Sequence, residues 1–136
     1  MIATPVVTTI AGYDISQMNP NTTGAADPQA AGALASEGVR GLQDGGVVAT
    51  LKHFPGHGDT DTDSHLALPV VEASLEDLEA RDFAPFRVLS DMPMAMTAHV
   101  VYTAVDPKRP ATTSKIAMRD VIRGSIGFDG LVMSDD

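Results

Sequence analysis

Val47-Val48-Ala49-Thr50-Leu51, running directly into Lys52-His53-Phe54-Pro55-Gly56-His57-Gly58-Asp59-Thr60-Asp61-Thr62-Asp63-Ser64-His65, decides how this chain is read. The first five residues follow Gly45-Gly46 and are apolar but for Thr50, so they read as a short buried strand. The segment after them holds three of the chain's four histidines and has aspartate at alternate positions. Pro55, Gly56 and Gly58 bend it, so it cannot be a helix and makes a poor strand. A buried strand that empties into a loop dense in titratable groups is the pattern of an active-site loop.

Elements alternate on both sides of this stretch. Upstream, an apolar run near Val6–Ile10 reads as the end of a strand. Asp27-Pro28 then starts a helix, with Asp as N-cap and Pro at the first helical position. Ala31, Leu34, Ala35, Val39 and Leu42 recur at helical spacing until Gly45-Gly46 ends the element. Downstream, Ser74 opens a second helix with Glu76 and Asp77 in its first turn. Leu75, Leu78, Phe83, Phe86 and Leu89 form its apolar face, and Pro85 kinks or divides it. Met94–Ala98 reads as a strand ending at His99. Ser114 caps a third helix through Ile116, Met118 and Ile122, closed by Gly124, and Leu131–Met133 is the last strand. The run Glu72–Asp82 reads as a solvated acidic face, and Phe83 and Phe86 as core.

Helices alternating with apolar strands predict an α/β fold with a parallel sheet covered by helices. Three clear strands fall short of a closed eight-stranded barrel, which takes about 250 residues. The expectation is therefore part of a (β/α)8 TIM-type barrel, incomplete at both ends, with residues 1–136 as one partial catalytic domain.

Composition narrows the function classes. Acidic residues number 18 against 9 basic, for a net charge of −9, which argues against nucleic acid as a partner. There is no cysteine, so disulfides and thiolate metal sites are excluded. No stretch has the apolar length of a membrane span, and the N-terminus lacks the pattern of a signal peptide, so the expected location is cytoplasmic.

The chemistry concentrates at strand ends. Strand 47–51 is followed by Lys52 and His53, strand 94–98 by His99, and strand 131–133 by Asp135 and Asp136. In a parallel fold these ends share one rim. A calcium loop starting at Asp59 fails, because its sixth position is Ser64 rather than Gly and its twelfth is Val70 rather than Glu. A zinc site from His53, His57 and His65 would need a helix where Pro and Gly stand, so no metal is expected. Asp63 and His65 lie two apart and share a face of an extended segment. A carboxylate on one ring nitrogen fixes the tautomer and raises the basicity of the other, which makes the pair an acid/base dyad. Asp135 is a nucleophile or charge stabiliser. His57 either anchors the loop or touches ligand.

The string Lys52-His53-Phe54-Pro55-Gly56-His57-Gly58-Asp59-Thr60 with Asp63-Ser64-His65 resembles the signature of glycoside hydrolase family 3. Specifically, it resembles the β-N-acetylhexosaminidase branch acting on peptidoglycan fragments. The likeness continues through Leu66-Ala67-Leu68-Pro69, Met96-Thr97-Ala98-His99-Val100, Gly127-Phe128-Asp129-Gly130 and Ser134-Asp135-Asp136. The resemblance implies Asp135 as nucleophile, His65 oriented by Asp63 as acid/base, and Lys52 and His53 holding sugar hydroxyls. It places His57 and His99 in the pocket, and implies no metal and no organic cofactor. It implies retaining removal of terminal β-N-acetylglucosamine from a muropeptide-type saccharide in cell-wall recycling. The family's sugar-binding arginine has no counterpart, since residues 1–26 contain no arginine. The alternative reading is a catalytically silent fragment that binds sugar weakly and self-associates through open sheet edges.

Overall fold

The computed structural model describes residues 6–9, 27–60 and 66–135. Its main sheet contains β1 (Val6–Thr9), β2 (Val47–Phe54), β4 (Met94–Thr97) and β6 (Leu131–Met133). All neighbours in it are parallel, in the order β1-β2-β4-β6. Strand order follows chain order without reversal. That is the singly wound course of a barrel wall, whereas a doubly wound sheet reverses at a switch point. The fold is α/β, an open portion of a TIM-type barrel. A second, two-stranded parallel sheet pairs β3 (Val70–Val71) with β5 (Val101–Tyr102) and was not legible in the sequence.

The first helix, α1 (Pro28–Asp44), begins as its sequence demands, with Asp27 accepting from the Gln29 backbone N–H at 3.2 Å. It buries a stripe of small residues, Ala31, Ala35 and Val39. Leu34, expected on that stripe, is 52% exposed; at 3.6 residues per turn it stands roughly 100° from the stripe's centre. The second helix is divided, as Pro85 requires. It comprises α2 (Leu75–Asp77), a π-helical segment Leu78–Asp82, and α3 (Ala84–Val88) with Pro85 in its first turn. Ser74 caps α2 by accepting from the Asp77 N–H. The expected third helix is π-helical from Ala117 to Ser125 and runs one residue past Gly124, closed by an Ile126 N–H to Val121 O bond of 2.8 Å.

Two further expectations are corrected. β2 does not stop at Leu51 but continues through Lys52, His53 and Phe54. The extension is held by Phe54, fully buried with its ring 4.3 Å from that of Phe86 and 5.0 Å from that of Phe128. Its carbonyl accepts from the Ala98 N–H at 2.7 Å. Asp82 is not part of a solvated acidic face: it is buried, and burial pushes its carboxyl pKa up, partly offset by Arg81 at 2.9 Å. Phe83 and Phe86 are core, as expected.

Candidate active site

The rim at the carboxyl ends of β2, β4 and β6 is built from the strand extension just described. Within it the peptides Lys52–His53 and Phe54–Pro55 are both cis. Lys52 and His53 are half-buried. The His53 Nε2 lies 3.2 Å from Oδ2 of Asp135, and both side chains are only 13% and 12% exposed. A carboxylate can only accept, so Nε2 carries the hydrogen and donates it. His53 stands on β2 and Asp135 just past β6, with β4 between them in the sheet. One hydrogen bond thus spans the width of three strands and orients the carboxylate.

The placement of Asp135 depends on the turn before β6. Gly130 packs where no side chain fits: a Cβ there would lie 2.5 Å from Met92 O and 2.6 Å from both Pro93 O and the Phe128 ring. Arg123 fastens the same turn, its Nη1 donating to Phe128 O at 2.6 Å and Gly130 O at 2.9 Å. Leu131 N–H then donates to Pro93 O, starting the strand.

After Pro55 the loop is tied down at several points. Gly56 has φ +147, and a Cβ there would meet Asp82 Cβ at 3.0 Å. Its carbonyl accepts from the Tyr102 hydroxyl. His57 is 6% exposed, and its Nδ1 lies 2.8 Å from Thr60 Oγ1, which donates to His57 O at 2.9 Å. The threonine hydrogen being spent on the carbonyl, Nδ1–H of His57 is the donor. His57 therefore anchors the loop, with its ring centroid 5.5 Å from that of His53. Arg81 pairs with Asp59 at 2.9 Å while also holding Asp82. Asp63 and His65, the expected dyad, lie outside the described residues, as does Asp136.

His99 follows β4 and is half-buried, its Nδ1 2.7 Å from Thr112 Oγ1. Thr97, Thr112, Tyr102, Arg81 and Arg123 were all missed in the sequence. Thr97, Thr112 and Tyr102 find partners 13 to 46 residues away, Arg81 reaches back to Asp59, and Arg123 bonds the backbone carbonyls of Phe128 and Gly130; no local pattern announces such contacts. Among the described residues, no three His, Cys, Asp or Glu side chains come together to hold a metal ion. No described helix is long and apolar enough to cross a membrane.

Comparison with known proteins matches this architecture. The model of the glycosyl hydrolase family 3 N terminal domain matches residues 7–136. The chain belongs to glycosyl hydrolase family 3. A beta-hexosaminidase of Neisseria meningitidis serogroup C is 49% identical over 112 residues, covering 81% of this chain and 31% of that protein. A beta-hexosaminidase of Pseudomonas aeruginosa is 43% identical over 111 residues, covering 81% of this chain and 33% of its own length. The crystal structure of NagZ from Neisseria gonorrhoeae in complex with N-trifluoroacetyl-D-glucosamine superposes with a TM-score of 0.75. It is 47% identical, and the match covers 81% of this chain and 33% of that one. The family 3 chain described here thus spans about a third of the length of the curated relatives it matches.

Proposed function

We propose that this chain carries the catalytic centre of a retaining glycosidase that removes terminal β-N-acetylglucosamine. One observation carries the reading: Asp135 stands on the rim of a family 3 barrel wall with its carboxylate held at 3.2 Å by His53. Such a carboxylate is oriented for attack on an anomeric carbon. In the first step, the bond from Asp135 to that carbon forms as the bond to the aglycone oxygen breaks, and His65 gives its proton to the departing oxygen. In the second, water attacks the same carbon, His65 takes the water's proton, and Asp135 is released. On this reading Asp63 orients His65, and Lys52, on β2, holds sugar hydroxyls. The likeness to beta-hexosaminidases and to a relative solved with an N-acylglucosamine analogue supports the choice of sugar. The saccharide is a GlcNAc-containing muropeptide met in peptidoglycan recycling, and the location cytoplasmic.

A second reading has its own support. The chain spans about a third of its relatives, and the described sheet ends in β1 on one side and β6 on the other. Leu131 on β6 is 61% exposed, and an apolar sheet edge invites pairing with another chain. On this reading the chain binds saccharide weakly, turns nothing over and self-associates. Hydrolysis of a chromogenic β-N-acetylglucosaminide separates the two, measured beside the matched β-glucoside, Asp135→Asn and His65→Ala. The catalytic reading expects turnover of the N-acetyl sugar only, reduced about a thousand-fold or more by either substitution. Turnover that survives both substitutions overturns it, and absence of turnover leaves the silent reading.

A further inference from the structure

Basic residues are scarce in this chain, 9 against 18 acidic, and most of them are engaged. Arg40, Arg81, Arg87 and Arg119 each pair with a carboxylate. Arg123 bonds the carbonyls of the turn before β6, and Lys52 stands on the rim. The others, Lys108, Arg109 and Lys115, are close neighbours in the chain, are exposed, and make no ion pair with a described residue. Lys108 and Arg109 are also held still. Pro107 and Pro110 flank them with their φ angles fixed by the ring. Asp106, the acid nearest to them in sequence, is turned inward at 8% exposed. Its carboxylate accepts from the Ser114 hydroxyl at 2.7 Å and from the Lys108 backbone N–H at 3.1 Å. Beyond Pro110, the buried Ala111 donates its N–H to Val100 O at 2.9 Å, and the Thr113 and Ser114 N–H groups both return to Pro110 O. The acid of the loop is thus spent on its own scaffold while the cations face solvent.

The segment leads from the carboxyl end of β4 to the helix that returns to β6, so it lies on the rim side of the sheet. Its far end touches the rim: Thr112 Oγ1 lies 2.7 Å from His99 Nδ1 and 3.0 Å from Thr97 Oγ1 in β4. Arg109 stands three residues before Thr112, a stretch that spans at most about 11 Å. N-acetylglucosamine carries no charge, so cations beside its site answer a charge elsewhere in the ligand. We propose that Lys108 and Arg109 form a subsite for a carboxylate-bearing aglycone, the part of the saccharide that leaves when the glycosidic bond breaks. The proposal rests on the glycosidase reading and narrows its substrate to conjugates whose leaving group is anionic. The guanidinium fork of Arg109 suits a carboxylate bidentately, and Lys108 adds a point charge. Because the loop is tied down beforehand, binding costs little ordering entropy. Salt screens exposed charges beyond about 8 Å at physiological strength, so this local pair outweighs the more distant acids of the chain.

The subsite is read by binding, without turnover. The probes are N-acetylmuramyl-L-alanyl-D-glutamate, with its free glutamate carboxylates, and the corresponding diamide, each titrated into the intact chain and followed by ¹⁵N–¹H shifts. The dicarboxylate is expected to bind about ten-fold tighter than the diamide at low salt, to shift the Lys108 and Arg109 signals, and to lose its advantage as salt rises. Lys108→Gln combined with Arg109→Gln should abolish the preference, and Lys108→Arg combined with Arg109→Lys should retain it. Both side chains are exposed, so neither pair of changes threatens the fold. Failure of the dicarboxylate to bind, equal affinity for the two probes, or a preference that survives the glutamine pair each overturns the proposal. A preference found in a chain that hydrolyses no N-acetylglucosaminide sinks the glycosidase reading and leaves the carboxylate site standing; hydrolysis without the preference does the reverse.

Discussion

A methyl group at position 130 would press on Met92 O, Pro93 O and the Phe128 ring at once, two of them backbone atoms with little room to yield. Gly130→Ala is therefore expected to destabilise the fold by about 1–3 kcal/mol, the range for overpacking a tight site. Urea denaturation would show it as a lower midpoint. Asp106 carries a pH signature. The Ser114 hydroxyl, then the Lys108 backbone N–H, hold its carboxyl below the ordinary 3.8. A carboxyl lowered on folding stabilises the fold above its unfolded pKa, and that contribution is lost as pH falls from there toward the folded value. Asp106→Asn should be less stable than wild type near about pH 7, with the gap narrowing toward about pH 3. An equal gap at both would contradict the assignment. Caps such as Asp27 and Ser74 were legible because their partners lie two or three residues away. Asp82 was not, since its burial against Gly56 depends on a loop that comes back from far up the chain.

The lengthening of β2 shows how an element's end is set by packing. Pro55 and Gly56 suggested a break after Leu51, and the break comes only after Phe54, because the Phe54 ring packs at a tilt against those of Phe86 and Phe128 and the Ala98 N–H completes the ladder. Phe54→Ala should cost about 3–5 kcal/mol, as for large-to-small changes at fully buried aromatics. It should also loosen His53, its chain neighbour, from Asp135. Thermal unfolding gives the first effect, and His53 ring shifts report the second. A loss well below about 1 kcal/mol would show that the site collapses around the missing ring. Helical periodicity located Leu75–Asp82 and Ala117–Ser125 but not their π-helical winding. That winding follows from where Phe83 and Ile126 N–H groups find their acceptors, five residues back. The two-residue strands β3 and β5 leave no period to read.

Across the whole molecule, the barrel course was legible because β2, β4 and β6 are largely apolar and each leads into ionisable residues. The rim that the sequence placed at the strand ends is where Lys52, His53, His99 and Asp135 stand. Its internal wiring was not legible, since hydroxyls such as Thr97 and Thr112 become informative only once β4 and β6 are paired. The central claim is that Asp135 forms a covalent bond to the sugar. Its most direct measurement is mass spectrometry of the chain after incubation with a 5-fluoro-N-acetylglucosaminyl fluoride, whose ring fluorine slows release of a glycosyl-enzyme. The account predicts a gain of one glycosyl unit on the peptide containing Asp135, absent in Asp135→Asn. A label on another residue, or none on the wild-type chain, would contradict it.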